Sequence, residues 1–532
     1  MHAQQPRSRF IPTLLTFSLA AAFALPAGAA EYVRQSVTDF NKDPAKVKAF
    51  KTAMTKMHAN NNKKRDTVDF YNSWEYWANT HGWLGTGPNA AGTAATYVKR
   101  TADRNCPGSA MGEATCRKYY VHLKDSTLPN DGFTNQVWGT CQHGSNTFLP
   151  WHRMYLHYFE RTLRKLSGDA NFALPYWNYF GEMSKGGLQL PALVRGKSAV
   201  PFYDEWRTPG LNENTTTMDA QSASAAQAFR ATTFLDFQRR IEGQPHGSMH
   251  CAVGSGCAAP DIGQVPLAGW DPVFYMHHAN IDRLWQCWMV QKAGGKTIDL
   301  AWAKANLGMP DAWYQTEYVF ADENGQKATM KIEDLFKPGV IESRYDNDKA
   351  CQISPPTVRT ALIAGTDVPG IALDAAKAKG TVSLKGKQTL MEFDAPQKLT
   401  RSAESAAEAK PAPVHLVLEN VDIVGNPGVS YKVFLASKAD PKRMSYVATI
   451  SYFGKLEPTG HDHPHADGST GKIGTLRYDV TENMHELSAS SAADVSVQFV
   501  PSNLTTKKVV EKTTQGSVTM TGMRLENAPE QK

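Results

Sequence analysis

The chain has 532 residues, of which 41% are hydrophobic, 10% aromatic and 20% charged, a balance that excludes a disordered protein and fits one large domain with at least one smaller one. The formal net charge of +6 is spread along the chain without a dense lysine or arginine run, so composition offers no argument for nucleic-acid binding.

In chain order, the first element is an export signal. Arg7 and Arg9 precede the apolar run "FIPTLLTFSLAAAFAL" and the small-residue stretch "AGAA" at Ala27–Ala30, which predicts a signal peptide over residues 1–29 and a periplasmic or extracellular destination. The apolar run is shorter than the roughly 20 residues a bilayer span needs, and no later stretch is longer, so no membrane span is expected after cleavage. Ser8 separates the two arginines, which favours a Sec-type over a twin-arginine route. Export permits disulfides. The cysteines are Cys106, Cys116, Cys141, Cys251, Cys257, Cys287 and Cys351; seven is odd, so at least one does something other than pair within the chain. Cys106 with Cys116 and Cys251 with Cys257 suit short loops.

Residues 40–300 carry helical periodicity. "FLPWHRMYLHYFERTLRKL" puts Tyr155, Leu156, Phe159, Leu163 and Leu166 on one face. Pro150 suits a first helical turn, so Trp151 and His152 begin this helix and His143 lies on the segment leading into it. Unbroken helix would set the two histidines on opposite sides; a break at Pro150 lets them converge. "IEGQPHGSMH" then places His246 and His250 four residues apart on one helical face. In "DPVFYMHHANIDRLW" Asp271 is an N-cap, Pro272 opens the helix, and only one of His277 and His278 points toward the other two histidines.

Residues 312–345 read as mixed and short-stranded. "RSAESAAEAKPAPV", Arg401–Val414, reads as a linker. "VHLVLENVDI", "SYKVFLAS", "SYVATISYF", "GTLRYDVT", "DVSVQFVP" and "SVTMTGMRLE" follow as β-rich runs between turn residues, a spacing that suggests a small β-sandwich. The expected fold class is α+β and multidomain: a mainly helical catalytic domain over residues 30–400, including the mixed segment 310–350, a linker over 401–413, and a β-sandwich-like domain over 414–532. No internal repeat is evident.

Three imidazoles with an open position suit zinc or copper. A protease of the HExxH kind would carry a glutamate after His246, where this chain has Gly247. Two separate histidine clusters suggest two metals, and all-imidazole sets point away from carboxylate-rich di-iron bundles toward oxidative dicopper chemistry.

Here the sequence resembles the tyrosinase and catechol oxidase family, the polyphenol oxidases with a type 3 dicopper centre. The resemblance rests on "HGSNTFLPWHRMYLHYFER", "PHGSMH" and "DPVFYMHHANIDRLW"; "DAWYQTEYVFADENGQKATMKIEDLF" and the β-rich end resemble plant members. It implies a four-helix bundle around two copper ions, with His143 and His152 as ligands of the first copper and His246, His250 and His278 of the second. The first ligand of the first copper is His81, in "SWEYWANTHG", with His122 in "YYVHLKD" as rival. His277 is a neighbour and His157 points away from the site. Cys141, two residues before His143, matches the family position that forms a thioether to that imidazole; an ordinary disulfide is the alternative. Glu242 matches a carboxylate thought to hold a water near copper. Phe148 and Phe274 each lie four residues before a ligand, where the family places phenyl rings, although core packing explains both. Asp282, one turn after His278, is a candidate to support it from behind. "HDHPHADG", His461–Gly468, reads as a solvated turn rather than a metal-loading loop.

The resemblance implies oxidation of small o-diphenols to o-quinones with O2 as co-substrate. Gly247 stands where strong monophenol hydroxylases often have Asn, which tilts the expectation toward catechol oxidase activity. The alternative is a haemocyanin-like reversible oxygen carrier with the same dicopper site. A C-terminal domain that shields the site would make the isolated protein a latent enzyme.

Overall fold

The structure is a computed structural model that describes residues 32–61, 63–82, 113–114, 133–138, 140–257, 261–347, 374–377, 379–393, 413–425, 427–454, 472–506 and 516–527. The expected signal peptide, His122, Cys106, Cys116, Cys351, the "HDHPHADG" stretch and all but the last residue of the expected linker lie outside the described residues. Among those described, no helix is long and apolar enough to cross a membrane.

The helices that organise the body are α1 (Pro44–Asn60), α2 (Trp74–His81), α3 (Phe148–Ser167), α4 (Phe234–Ile241), α5 (Ser248–Val253) and α6 (Val273–Ala293). Their ends follow local chemistry. The Ser73 hydroxyl accepts from the Tyr76 N–H to start α2, and Thr233 does the same for Asp236 at α4. The Asp271 carboxylate accepts from the Val273 N–H at the head of α6. Gly168 and Gly294, with φ of +74° and +55°, end α3 and α6 in the left-handed conformation that glycine adopts without strain.

The helix predicted to start near Trp151 starts at Phe148, so Pro150 sits inside the first turn, where the missing N–H still removes no internal bond. The break that frees His143 from helical geometry therefore falls at Thr147, earlier than expected. His246 also departs from a plain helix. Pro245 pushes the preceding Gln244 to φ −148° and ψ 126°, so Glu242–Gly247 form a kinked connection between α4 and α5.

A short strand, Tyr32–Arg34, pairs in parallel with Ser343–Tyr345 and ties the two ends of the body together. Behind it lies a buried ion network. Arg34 donates to Glu160 at 3.1 Å and to the Tyr345 hydroxyl at 2.8 Å, and Asp282 accepts from Arg153 at 2.5 Å and from Tyr345 at 2.6 Å. Asp282 therefore spends its carboxylate on this network, which binds α6 to α3, rather than on a histidine.

The remaining described chain forms two sheets from β1 (Asp374–Lys377), β2 (Lys379–Leu384), β3 (Thr389–Glu392), β4 (Val414–Val424), β5 (Ser430–Ser437), β6 (Met444–Ile450), β7 (Lys472–Asp479), β8 (Val495–Ser502) and β9 (Ser517–Asn527). One sheet has the order β6-β5-β8-β3-β1 and the other β7-β4-β9-β2. Side chains from both, among them Leu416, Leu418, Val433, Leu435, Val497 and Met520, share one apolar cluster. The strands β1 to β3 precede the expected linker yet pair into these sheets, so sheet-forming chain begins upstream of residue 400.

The outer face of the first sheet lies against the helical body. Strand β5 is buried along nearly its whole length, Lys432 reaches across to Asp219 at 2.8 Å, and Ile423, Tyr452, Phe453 and Leu504 belong to the apolar cluster of the body. Two-sided burial explains why "SYKVFLAS" lacks a clean polar alternation.

Candidate metal centre

His81 is the last residue of α2, and Gly82 follows it because a side chain there would stand 2.3 Å from the Pro266 Cα. That close approach lets the segment before α6 close over the helix end. His143 lies on the loop entering α3, His152 in the first turns of α3, His246 in the kinked connection before α5, His250 in α5, and His277 and His278 in α6.

Two clusters result. The candidate ligand atoms of His81, Cys141, His143 and His152 all lie within 4.8 Å of one another, and so do those of His246, His250, His277 and His278. The clusters face each other: His152 stacks on His278 with centroids 4.5 Å apart, and His143 stands 5.8 Å from His246. All six histidines expected as ligands are brought together. His277, expected as a neighbour, is close enough to join the second group, 4.8 Å from His250 and nearly perpendicular to it.

Proton placement follows from the partners. The Nδ1 atoms of His152, His246 and His250 lie 2.8, 2.9 and 2.6 Å from the carbonyls of Phe148, Glu242 and Ile262. A carbonyl only accepts, so each Nδ1 carries the proton and each Nε2 is a bare acceptor. The His246 Nε2 is buried without a hydrogen-bond partner, and the His250 Nε2 stands 3.3 Å from the His278 Nε2. Burial holds His81 and His246 at about 3, and pushes His152, His250 and His278 well below the usual imidazole range. All are neutral at neutral pH. Buried, converging lone pairs are costly unless a cation shares them, and neutral imidazoles are the form that binds copper or zinc. The donor set fits a pair of such metals.

The other expected site residues surround the histidines. Phe148 lies 4.6 Å from His152 and 4.7 Å from His246, while Phe274 lies 4.5 Å from His81 and 4.2 Å from His278. Each phenyl ring thus touches both clusters. The Glu242 carboxylate accepts from the Gly144 N–H at 2.6 Å. Cys141 is buried and free, with Sγ 3.4 Å from the His143 Nδ1; burial, and then the charge of Glu242, raise its thiol well above the usual range, so it is not a ready thiolate ligand. Cys251 and Cys257 form a disulfide, as their spacing suggested, and Cys287 is also disulfide-bonded. His157 is buried in α3 but belongs to neither cluster.

Sequence reasoning missed Phe453. It follows β6, and its ring stacks on His250 with centroids 3.7 Å apart and planes 11° apart, 5.4 Å from His246 and 6.0 Å from His143. Nothing local in "SYFG" signals this, because the contact joins residues about two hundred positions apart. Beside it, a Cβ on Gly247 would stand 2.5 Å from the Ser451 Oγ. The Gln244 amide fastens the cover: its oxygen accepts from the Thr449 N–H at 2.8 Å, and its nitrogen donates to the Gln221 carbonyl at 2.7 Å.

The sequence matches the family description "Common central domain of tyrosinase" over residues 71–203 and 196–291. It is 27% identical over 431 residues to "Polyphenol oxidase latent form, chloroplastic" of Prunus armeniaca, covering 72% of this chain and 66% of that relative. It is 29% identical over 301 residues to "Tyrosinase HcTyr1" of a Hahella strain, covering 49% of this chain and 60% of that one. The chain thus spans less than two thirds of the length of each. Among solved structures, latent apple tyrosinase aligns over 95% of this chain and 99% of its own, with a TM-score of 0.54 and 21% identity, which establishes a common fold.

Proposed function

Given that the chain belongs to the tyrosinase and polyphenol oxidase family of type 3 copper proteins, we propose that it is a copper-dependent polyphenol oxidase that converts small o-diphenols to o-quinones with O2, and that this form is latent. The observation that carries the activity is the pair of facing imidazole triplets with converging ring nitrogens, in which His152, His246 and His250 hold a bare Nε2. We assign His81, His143 and His152 to one copper and His246, His250 and His278 to the other, within a bundle formed by α2, α3, α6 and the α4-to-α5 segment.

When bound, the copper pair supplies the two-electron exchange between dioxygen and the diphenol. The protein does the rest. Backbone carbonyls fix the tautomers and orientation of His152, His246 and His250, and burial keeps the rings neutral. Phe148 and Phe274 exclude water from the space between the clusters. Glu242 is the carboxylate beside the site and holds the water that takes a proton from an incoming phenol. Gly247 offers no side chain to help orient that water, which favours diphenol oxidation over monophenol hydroxylation. Cys141 is positioned to form a thioether to the His143 ring: an S–H and a ring C–H are lost, a C–S bond forms, and two electrons and two protons pass to dioxygen.

Latency rests on Phe453, which occupies the face of His250 where a phenol ring would stack. We take residues 30–347 as the catalytic body and the chain from 374 onward as the covering β-sandwich, with residues 1–29 as an export signal to the periplasm or exterior. The test is quinone absorbance from 4-methylcatechol by the copper-loaded protein, intact and with its cover loosened. Quinone formation that rises on loosening supports the reading. Full copper binding with reversible oxygen uptake and no quinone in either state would overturn it in favour of an oxygen carrier.

A further inference from the structure

The loop that carries His143 has no regular structure to set it, yet His143 must meet His81 and His152. Gln142 accepts from Ser145 and Thr147 within the loop, Trp313 donates to the Asn146 carbonyl at 3.0 Å and Tyr318 to the Thr147 hydroxyl at 2.9 Å. The contacts nearest His143 come from the other cluster's side of the molecule. Glu242 Oε1 accepts from the Gly144 N–H at 2.6 Å. Gln238, one turn earlier, donates from Nε2 to the Ser145 carbonyl at 2.6 Å, and its Oε1 accepts from the Leu149 N–H at 3.3 Å. Residues four apart share a helical face, so the two side chains close on the loop from one direction. Gly144, at φ +65°, adopts the left-handed conformation in presenting its N–H to Glu242. Glu242 also holds His246, because its backbone carbonyl accepts from that Nδ1 at 2.9 Å.

We infer that Gln238 and Glu242 are positioning residues that set the His143 loop from the helix leading to His246, so that Glu242 links the two metal clusters, with its side chain serving one and its carbonyl the other. This role is separate from any water held by the carboxylate, and it rests on the dicopper reading only for its metal readout. A neutral acceptor suffices for positioning but not for proton transfer, and that separates the roles. The carboxylate oxygen that accepts from the Gly144 N–H serves the first cluster, so its loss is expected to weaken that cluster more than the second.

The test compares Glu242→Ala, Glu242→Gln and Gln238→Leu in the full chain, with thermal unfolding to confirm that each is folded. In the metal-free protein, hydrogen exchange of a peptide spanning residues 141–147 is expected to speed up in Glu242→Ala and Gln238→Leu and to stay near wild type in Glu242→Gln. In the copper-loaded protein, chelator challenge is expected to strip one metal from Glu242→Ala with an affinity loss of roughly 10- to 100-fold, typical for removing a group that supports a ligand, while the second metal stays. Glu242→Gln keeps both metals but loses proton-transfer activity. Exchange and copper retention in Glu242→Ala within twofold of wild type would overturn the inference, as would Glu242→Gln behaving like Glu242→Ala. A wild type that binds no copper would refute the functional reading while leaving the exchange experiment decisive for positioning.

Discussion

Replacing Phe453 with alanine tests the cover directly. The ring is 8% exposed, lies parallel to His250 at 3.7 Å and reaches His246 and His143. Seating a phenyl side chain out of water stabilises the covered state by about 1.5 to 3 kcal/mol. A small diphenol must displace it, so apparent affinity falls by the fraction of molecules that are uncovered. At about 1.4 kcal/mol per factor of ten, Phe453→Ala should raise the quinone formation rate at subsaturating 4-methylcatechol by roughly 10- to 100-fold. The assay is initial quinone absorbance at matched copper content, with mass spectrometry confirming an uncut chain. A rate within twofold of wild type, at full copper loading, would refute the idea that this ring limits access.

Gly247→Ala places a Cβ 2.5 Å from the Ser451 Oγ; it should push the cover outward and raise basal quinone formation, and adding Ser451→Gly should return the rate toward wild type. A protease site engineered within 401–412 should cut the chain without releasing activity, because β2 and β3 remain paired to β9 and β8; the fragments should co-elute. Asp204 is raised from 3.8 to about 7 by burial and then by the charge of Asp271, against the pull of Arg207. The folded state thus keeps a proton that the unfolded chain releases above pH 3.8. The resulting stabilisation is full below about pH 4, falls as pH rises and is gone above about pH 7, a change of up to about 4 kcal/mol. Denaturant titrations at about pH 4.5 and about pH 8 should show this loss in wild type and much less of it in Asp204→Asn; equal pH dependence in both would refute the assignment.

How far the sequence can be read depends on the range of the forces involved. The histidine clusters are legible because their spacing is set by helical geometry within a few residues: His246 and His250 stay neighbours, with centroids 4.6 Å apart, even though Pro245 breaks the helix before them. The cap at Asp271 and the first turn at Pro150 are legible for the same local reason. Strands β1 and β2 are not, because "DAAK" and "KGTVSL" carry weak strand preference. They become strands by pairing, β1 with β3 and β2 with β9 more than a hundred residues later. The divergence of adjacent helical residues makes His277 read as a bystander to the metal cluster. That divergence is real, but α6 is buried around nearly its whole circumference, so both rings of the pair meet the cluster.

Gly247 shows why range matters for function as well as fold. The family pattern treats the residue after His246 as a choice about substrate, made by what its side chain does to an incoming phenol. In the folded chain the same position is also the floor on which Ser451 rests, with the Phe453 Cβ 3.4 Å from where its own Cβ would be. On the proposed reading, a larger residue there would both meet the phenol and press on Ser451. Gly247→Ala, read with and without Ser451→Gly, separates these effects: a rate gain that survives the second substitution belongs to the substrate, and one that disappears belongs to the cover.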